Sequence, residues 1–204
     1  MPLVDVDFPE PAEALPRRMR ALVTEGERRI RAFIDARGGA VAGFVPSDFE
    51  RVAQVLRAVV HQNLAPGRTF CEWGSGFGVV TLLAAQLEFS ACGIEVDPEL
   101  VEQAERLAAD FEMDVEFACG TFVPHGGEDL TDVPQEFAWL LTGAACGHEQ
   151  LRVDPADFDV IFAYPWPGEE QVVEDLFERF AATSALLLTY HGMEDIRLRR
   201  KVAG

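Results

Sequence analysis

The sequence predicts an α/β fold, with a doubly wound, mostly parallel sheet in a three-layer sandwich and helices at the N-terminus. Short apolar runs alternate with helical stretches after residue 65. This alternation is typical of a parallel sheet covered by helices on both faces. A glycine-rich turn follows the first apolar run, and doubly wound sheets bind their ligands at such turns. The sequence therefore predicts both a fold class and the edge of the sheet that carries the site.

The first 64 residues predict helices that pack on this core. Apolar residues at helical spacing indicate one helix within residues 12–37. The segment FVPSDFERVAQVLRAVV begins a second helix, for which Ser47 and Glu50 form a predicted capping box. We therefore divide the chain into an N-terminal helical extension, residues 1–64, and a core, residues 65–204.

The core predicts buried strands in five apolar runs, which are TFCEW, ACGIEV, VEFAC, FDVIFAY and ALLLTY. Helices are predicted over 77–88, 98–111 and 168–182. Residues 121–157 form an insertion with one predicted helix at 134–145, and its length suggests a lid or a substrate-facing segment. Near the C-terminus, IRLRRKVA predicts one more strand at the edge of the sheet.

Charge is spread unevenly along the 204 residues, whose net charge is −18. Residues 69–196 contain three basic side chains against 26 acidic ones. Such an acidic surface repels a phosphate backbone, so we expect no nucleic-acid partner and favour a cationic or neutral substrate. The same excess of acidic over basic side chains is explained equally well if it serves only to keep the protein soluble.

The sequence also predicts where the protein resides. No apolar run approaches the roughly 20 residues of a membrane helix. The acidic, proline-rich N-terminus does not resemble a secretory signal. We therefore expect a soluble, cytoplasmic protein without a membrane partner, and the oligomeric state stays open.

Four cysteines stand apart in the sequence without a CxxC pair. A zinc site can be drawn from Cys119, His125, Cys146 and His148, but their spacing follows no recurrent ligand pattern. We therefore predict no metal site.

The glycine-rich turn lies in FCEWGSGFG, where Gly74, Gly76 and Gly78 alternate behind the first strand. A dinucleotide fingerprint would require its last glycine at position 79, which is Val79 in this chain. Glu72 precedes the first glycine by two residues, and a carboxylate there would repel a pyrophosphate but attract an ammonium group. The turn therefore argues against a nicotinamide oxidoreductase and favours a cofactor with an amino-acid end.

These residues resemble class I S-adenosylmethionine (SAM)-dependent methyltransferases. EWGSGFG resembles the family's first motif, whose acid and glycines surround the methionine part of SAM, and GIEVDPELVEQA resembles the second. In the second motif the acid that ends the strand accepts both ribose hydroxyls. VEFACGTF resembles the stretch that touches the adenine, where the family often has an aspartate instead of threonine. The implied cofactor-binding residues are Glu72, Gly74, Ser75, Gly76, Gly78, Glu95, Gly120 and Thr121.

Two further stretches bear on the methyl acceptor. FVPSDFE resembles the segment that closes over SAM in small non-SET protein-lysine methyltransferases. FAYPWPGEE stands where amino methyltransferases of nucleobases carry an Asn/Asp-Pro-Pro-aromatic loop, but it lacks the amide or acid. Its two prolines fix φ and would hold Tyr164 and Trp166 beside the methyl group, which makes these two the candidate catalytic residues.

The sequence thus predicts a methyltransferase that uses SAM as its cofactor. Its acceptor would be an amine-bearing small molecule or protein, because an aromatic wall and the surrounding acids attract a cation. The alternative is a SAM-binding protein without transferase activity, which would act as a sensor or a partner subunit.

Overall fold

The computed structural model describes residues 2–9, 13–131, 143–192 and 195–204. The helices are α1 (Arg17–Ala36), α2 (Phe49–His61), α3 (Val79–Gln86), α4 (Pro98–Asp110), α5 (Gly147–Leu151) and α6 (Glu170–Phe180). The strands are β1 (Leu3–Asp5), β2 (Thr69–Trp73), β3 (Ser90–Glu95), β4 (Glu116–Cys119), β5 (Val160–Ala163), β6 (Leu186–Tyr190) and β7 (Ile196–Lys201). Each of the five predicted apolar runs contains a strand, and the helices predicted over 77–88, 98–111 and 168–182 are present in shorter form.

The strands form one sheet in the order β1-β7-β6-β5-β2-β3-β4. Strands β2 to β6 are parallel to one another, whereas β7 runs antiparallel to both β6 and β1. The chain builds outward from β2 to β4 and then returns to place β5 on the other side of β2. This reversal makes the carboxyl ends of β2 and β5 the switch point at which such sheets bind ligands.

Helices cover both faces of the sheet, so the predicted three-layer fold is confirmed. Side chains of α1 to α4 pack with Phe70 and Leu188 in one apolar cluster. The opposite cluster joins Ile161 and Leu187 to Leu176 of α6. Successive residues of β2 alternate between the two clusters, as the strand period of two requires.

The N-terminal extension contributes to the sheet as well as to its helical layer. Strand β1 pairs with β7 at one edge, and α1 and α2 share an apolar cluster with α3. Helix α1 runs through Gly26, where a built Cβ would lie 2.7 Å from Val79 Cγ2. This glycine therefore lets α1 approach α3 closely. The boundary between extension and core at residue 64 stays a prediction.

Strand β7 exists as predicted, but its predicted place at the edge of the sheet is wrong. It lies between β6 and β1, and three of its basic side chains have partners inside the fold. Arg199 forms an ion pair with Glu174 at 2.5 Å, Arg200 donates to Leu64 O at 2.8 Å, and Lys201 donates to Ala181 O. A strand this basic is accommodated next to the edge because one acid of α6 and two backbone carbonyls accept from these side chains.

The predicted cap of α2 is wrong by one residue. Asp48, not Ser47, is the N-cap, and its Oδ1 accepts a hydrogen bond from Arg51 N at 2.9 Å. Asp48 directly precedes the first helical residue, Phe49, so its side chain reaches the amide three residues further along the chain, as an N-cap side chain does.

The insertion is described in part. Its described residues include a 3₁₀ turn over Glu128–Leu130, helix α5 and a second 3₁₀ turn over Pro155–Asp157. The helix predicted at 134–145 falls largely on residues 132–142, which lie outside the described residues. Within the described ranges, no helix combines the length and apolarity that crossing a membrane would require.

We expect Asp48→Ala to lower the free energy of unfolding by about 1 kcal/mol, because an N-cap side chain satisfies an amide that the helix leaves unpaired. Ser47→Ala is the matched control and should change stability much less. Urea denaturation of both variants measures the difference. Equal losses in the two variants would contradict the assignment of the cap.

Candidate functional site

The carboxyl ends of β2, β3 and β5 open into a cavity of about 280 Å³. Five segments of the chain supply its walls, so the site exists only once the sheet is assembled. The lining residues are 43–47 with Phe49, 72–77, 94–96, 120–122, and 162–167 with Glu169 and Val173.

The fold brings nine of the ten predicted site residues to this cavity. They are Glu72, Gly74, Ser75, Gly76, Glu95, Gly120, Thr121, Tyr164 and Trp166. Gly78 is not among the lining residues. It is the N-cap of α3, with φ +69°, and a built Cβ would lie 2.5 Å from the ring of Phe117. Its role is therefore to start α3 close to β4.

The glycine turn requires glycine at each alternate position. Gly74 has φ +78° and Gly76 has φ +52°, and both values lie in the left-handed region that disfavours side chains. A Cβ built on Gly76 would lie 2.6 Å from Cε2 of Phe44, whereas one built on Gly74 meets no heavy atom within 4 Å. Gly74 therefore has open space beside it, and Gly76 makes room for an aromatic ring.

The amides of the turn are engaged within the protein. Gly74 N and Ser75 N both donate to Ile94 O at 2.9 Å. Gly76 N donates to Glu95 Oε2 at 2.8 Å. The turn is thus tied to the end of β3, and this bonding holds its shape before any ligand binds.

Glu95 ends β3, as the sequence predicts, and its carboxylate is held by three backbone amides. Oε2 accepts from Gly76 N, and Oε1 accepts from Val96 N at 2.8 Å and from Asp97 N at 3.0 Å. A carboxylate offers about four lone-pair directions, so roughly one stays open. Burial raises the pKa of Glu95 even though these amides favour the charged form.

Glu72 is only 4% exposed and connects the turn to α3. Its Oε2 accepts from Thr81 N at 2.8 Å and from Thr81 Oγ1 at 2.5 Å. Burial, opposed by these bonds, raises the pKa of Glu72 to about 8, and the nearby charge of Glu95 adds to the rise. Glu72 therefore gains or loses a proton near neutral pH.

The turn after β4 closes one end of the cavity. Gly120 N donates to Glu95 O at 2.8 Å, and a built Cβ on Gly120 would collide with Ala145 O. Thr121 N donates to Ala145 O at 2.9 Å, and Thr121 Oγ1 accepts from Val123 N at 3.1 Å. The lining of this end is thus fixed by backbone pairing, which also uses one lone pair of the threonine hydroxyl.

The segment FVPSDFE lies against the glycine turn and lines the cavity. Its Phe44 contacts Phe77 with ring centroids 5.6 Å apart, and Phe77 packs edge-on against Phe33 at 5.2 Å. Arg37 lies over the Phe33 ring, with Cζ 3.4 Å from the centroid. This aromatic stack joins α1, the linker to α2 and the turn.

The loop after β5 supplies another wall of the cavity. Tyr164 packs edge-on against Tyr190 with centroids 4.8 Å apart, and burial raises the pKa of its hydroxyl. Trp166 is half-buried, and its carbonyl accepts from Glu169 N at 2.9 Å. Both aromatic side chains therefore stand at the cavity, and their chemical roles stay predictions.

Sequence reasoning missed a buried carboxylate and a buried indole of the lining. Glu169 is 3% exposed and belongs to the same loop as Trp166. Trp73 stacks on Phe122 at 5.2 Å, and its buried Nε1 has no hydrogen-bond partner in the described part of the chain. The position of Trp73 directly before Gly74 indicates in the sequence that it lies at the site. No local sequence feature distinguishes Glu169 from the neighbouring Glu170.

The sequence matches no protein-family model, and no curated protein matches it significantly. Solved structures do resemble it. A methyltransferase from Geobacter sulfurreducens has a TM-score of 0.54 at 14% identity, covering 96% of this chain and 93% of its own. An O-methyltransferase from Bacillus cereus in complex with S-adenosylhomocysteine (SAH) has a TM-score of 0.52 at 14% identity, covering 87% and 67%.

An RNA methyltransferase from Salinibacter ruber in complex with SAH has a TM-score of 0.51 at 17% identity, covering 77% of this chain and 92% of its own. Identities this low establish a shared fold and nothing further. The predicted methyltransferase-like α/β fold is confirmed.

We expect Glu72→Gln to remove part of the pH dependence of stability. The pKa of Glu72 is about 8 in the folded protein against an ordinary value of 4.5. Between these values the folded state keeps a proton that the unfolded state releases. The wild-type free energy of unfolding should therefore fall as the pH rises from about 5 to 8, by up to about 1.4 kcal/mol per pH unit from this group.

Denaturation of wild type and Glu72→Gln across that range measures the effect. The glutamine keeps an acceptor for Thr81, so the variant serves as its own structural control. Parallel curves for the two proteins would contradict the raised pKa.

Proposed function

We propose that this chain binds SAM and transfers its methyl group to an acceptor. The observation that carries the proposal is the single cavity at the switch point, which joins the glycine turn, Glu95 and the Tyr164–Trp166 loop. The first two resemble the cofactor motifs of class I methyltransferases, and the loop stands where that family binds the acceptor. The likeness of the whole fold to solved methyltransferases supports the same proposal.

The residues present suit a cationic nucleoside ligand. Glu72 and Glu95 line the cavity, and no lysine or arginine stands among the described residues that line it. In the proposed arrangement Glu95 uses its open lone pair for a ribose hydroxyl, and Glu72 faces the cationic amino-acid end. Gly74 leaves the space beside it open, and Gly120 and Thr121 border the adenine.

SAM would supply an activated methyl group, and the residues of this chain would align the acceptor with it. In-line transfer to a nucleophile depends on the alignment of the reacting atoms more than on acid–base groups, because the leaving sulfur departs neutral. Tyr164 and Trp166 would hold the acceptor from a loop stiffened by Pro165 and Pro167. The lack of a catalytic triad in the sequence is therefore compatible with this reaction.

We propose an amine-bearing small molecule or protein as the acceptor, with a lysine side chain as one candidate. The aromatic wall and the acidic cavity favour a cation, and residues 69–196 carry 26 acids against three basic residues. A structural neighbour is an RNA methyltransferase, so RNA belongs in the test. A preference for RNA or DNA would overturn this choice of acceptor.

The alternative is a SAM-binding protein without transferase activity. Turnover of labelled SAM over a panel of amines, proteins and RNA separates the two proposals. Methylation of any acceptor favours the enzyme, whereas tight SAM binding without transfer to the whole panel favours the sensor or partner subunit.

Glu95→Ala should weaken SAM binding by about 1.5–3 kcal/mol, the scale of a lost charge-assisted hydrogen bond. Isothermal titration calorimetry with SAM, and with NAD as a negative control ligand, measures it. Glu99→Ala is the matched control, because Glu99 is an exposed acid on the same segment that pairs with Arg37. SAM affinity that is unchanged in folded Glu95→Ala would refute the ribose assignment.

Trp166→Ala and Tyr164→Phe should reduce methyl transfer while SAM affinity stays near the wild-type value. A cation on an aromatic face gains about 0.5–2 kcal/mol, so we expect transfer to fall about twofold to about 30-fold for Trp166→Ala. Rates with labelled SAM and calorimetric affinities give the two readouts. Joint loss of SAM binding and stability in both variants would show that the loop has a structural role.

A further inference from the structure

Two cysteines that stand far apart in the sequence lie side by side in the sheet. Cys71 on β2 is paired directly with Cys92 on β3. The strands are parallel, so side chains at paired positions point to the same face, and both cysteines pack with the apolar cluster that contains Ile161 and Leu187. The two thiols are within hydrogen-bond reach of each other, and Cys92 Sγ also donates to Phe70 O at 3.7 Å. The fold thus creates a thiol pair without a CxxC spacing.

The two thiols differ in their access to solvent. Cys71 is fully buried, whereas Cys92 is half-buried and lines a second cavity of about 360 Å³. This cavity lies at the amino ends of β2, β3 and β4, away from the candidate site at their carboxyl ends. Its described lining residues include the acids Asp114, Glu116 and Asp157 and no basic residue. A small reagent therefore reaches Cys92 but not Cys71, and the carboxylates favour an uncharged reagent over an anionic one.

The register of the two strands suits a disulfide that is easily reopened. Neighbouring strands lie about 4.7–4.9 Å apart, within the roughly 4.4–6.8 Å that a disulfide spans between Cα atoms. The Cβ atoms of a disulfide approach to about 3.5–4.5 Å, so closing the bond would draw β2 and β3 slightly together. A bond that pulls on two packed strands is strained, and strained disulfides are readily reduced. Closure in this register would therefore be reversible.

We propose that hydrogen peroxide, a small uncharged oxidant, oxidises Cys92 and that Cys71 then closes a disulfide between β2 and β3. The Cys92 sulfur attacks a peroxide oxygen, the oxygen–oxygen bond breaks, and a sulfenic acid and water form. The Cys71 sulfur then attacks the Cys92 sulfur, the sulfur–oxygen bond breaks, and the departing hydroxide takes the Cys71 proton as water. The two thiols are oxidised to a disulfide as the peroxide is reduced to water. This inference is independent of the proposed function.

The order of the two steps follows from burial. Burial raises the pKa of the Cys71 thiol well above its ordinary value, so Cys71 stays protonated. A protonated thiol is a weak nucleophile, but the contact between Cys71 and Cys92 offsets this through proximity. Cys92 is therefore the residue that the oxidant attacks, and Cys71 is the residue that resolves the sulfenic acid.

Mass spectrometry of the oxidised protein tests the proposal. The folded protein is treated with hydrogen peroxide, unfolded in N-ethylmaleimide and cut with trypsin, which leaves both cysteines on one peptide, residues 69–106. In wild type we expect this peptide to lose two hydrogens and take up no maleimide, and to take up two maleimides if dithiothreitol precedes the alkylation. Glutathione disulfide, which is anionic, should leave the peptide reduced at the same concentration.

Variants identify the residues that react. In Cys92→Ser the peptide should keep its hydrogens and take up one maleimide on Cys71. Cys119→Ser is the matched control, because Cys119 is an exposed thiol outside the pair, and it should behave as wild type.

Three outcomes would overturn the inference. The wild-type peptide takes up two maleimides although Cys119 is oxidised, or Cys92 proceeds to a sulfinic acid without forming the disulfide, or Cys119→Ser abolishes the bond. Equal oxidation by glutathione disulfide would overturn the choice of an uncharged oxidant. If circular dichroism shows that Cys92→Ser is unfolded, the mass of the wild-type peptide decides.

Discussion

Three backbone amides converge on the carboxylate of Glu95, and the shape of the cavity depends on this convergence. The amide of Gly76 comes from the turn after β2, and the amides of Val96 and Asp97 come from the turn after β3. Gly74 and Ser75 add two bonds to the end of β3. The two turns that border the predicted cofactor site are therefore one hydrogen-bonded unit, and its geometry is set before a ligand arrives.

The same unit concentrates carboxyl groups where water has little access. Burial raises the pKa of both Glu72 and Glu95, the charge of Glu95 raises that of Glu72 further, and the charge of Asp97 does the same for Glu95. Glu169 adds a third carboxylate to the lining. A protein with a net charge of −18 gains no solubility from acids placed inside a cavity. A cationic ligand would relieve this cost, which is the electrostatic reason to expect one.

The surrounding fold supports this arrangement from both sides of the sheet. The aromatic stack of Phe33, Phe44 and Phe77 presses the linker before α2 onto the turn at Gly76. On the other face, α6 places its apolar side against β5 and β6, and its first turn carries the buried Glu169. Each wall of the cavity is thus anchored in a separate part of the apolar core, so local changes in one wall need not disturb the other.

The sequence by itself determined the strands, the helices and the glycine turn, because these depend on local periodicity and on backbone conformations that only glycine adopts easily. It also placed Glu95 at the end of its strand, since the apolar run ends there. Only the tertiary structure decided that β1 pairs with β7, that the amides of the turn point to β3, and that Glu169 rather than Glu170 lines the cavity. Strand pairing and cavity walls arise from contacts between distant segments, and a three-residue strand or one glutamate among neighbouring acids leaves no periodic signal.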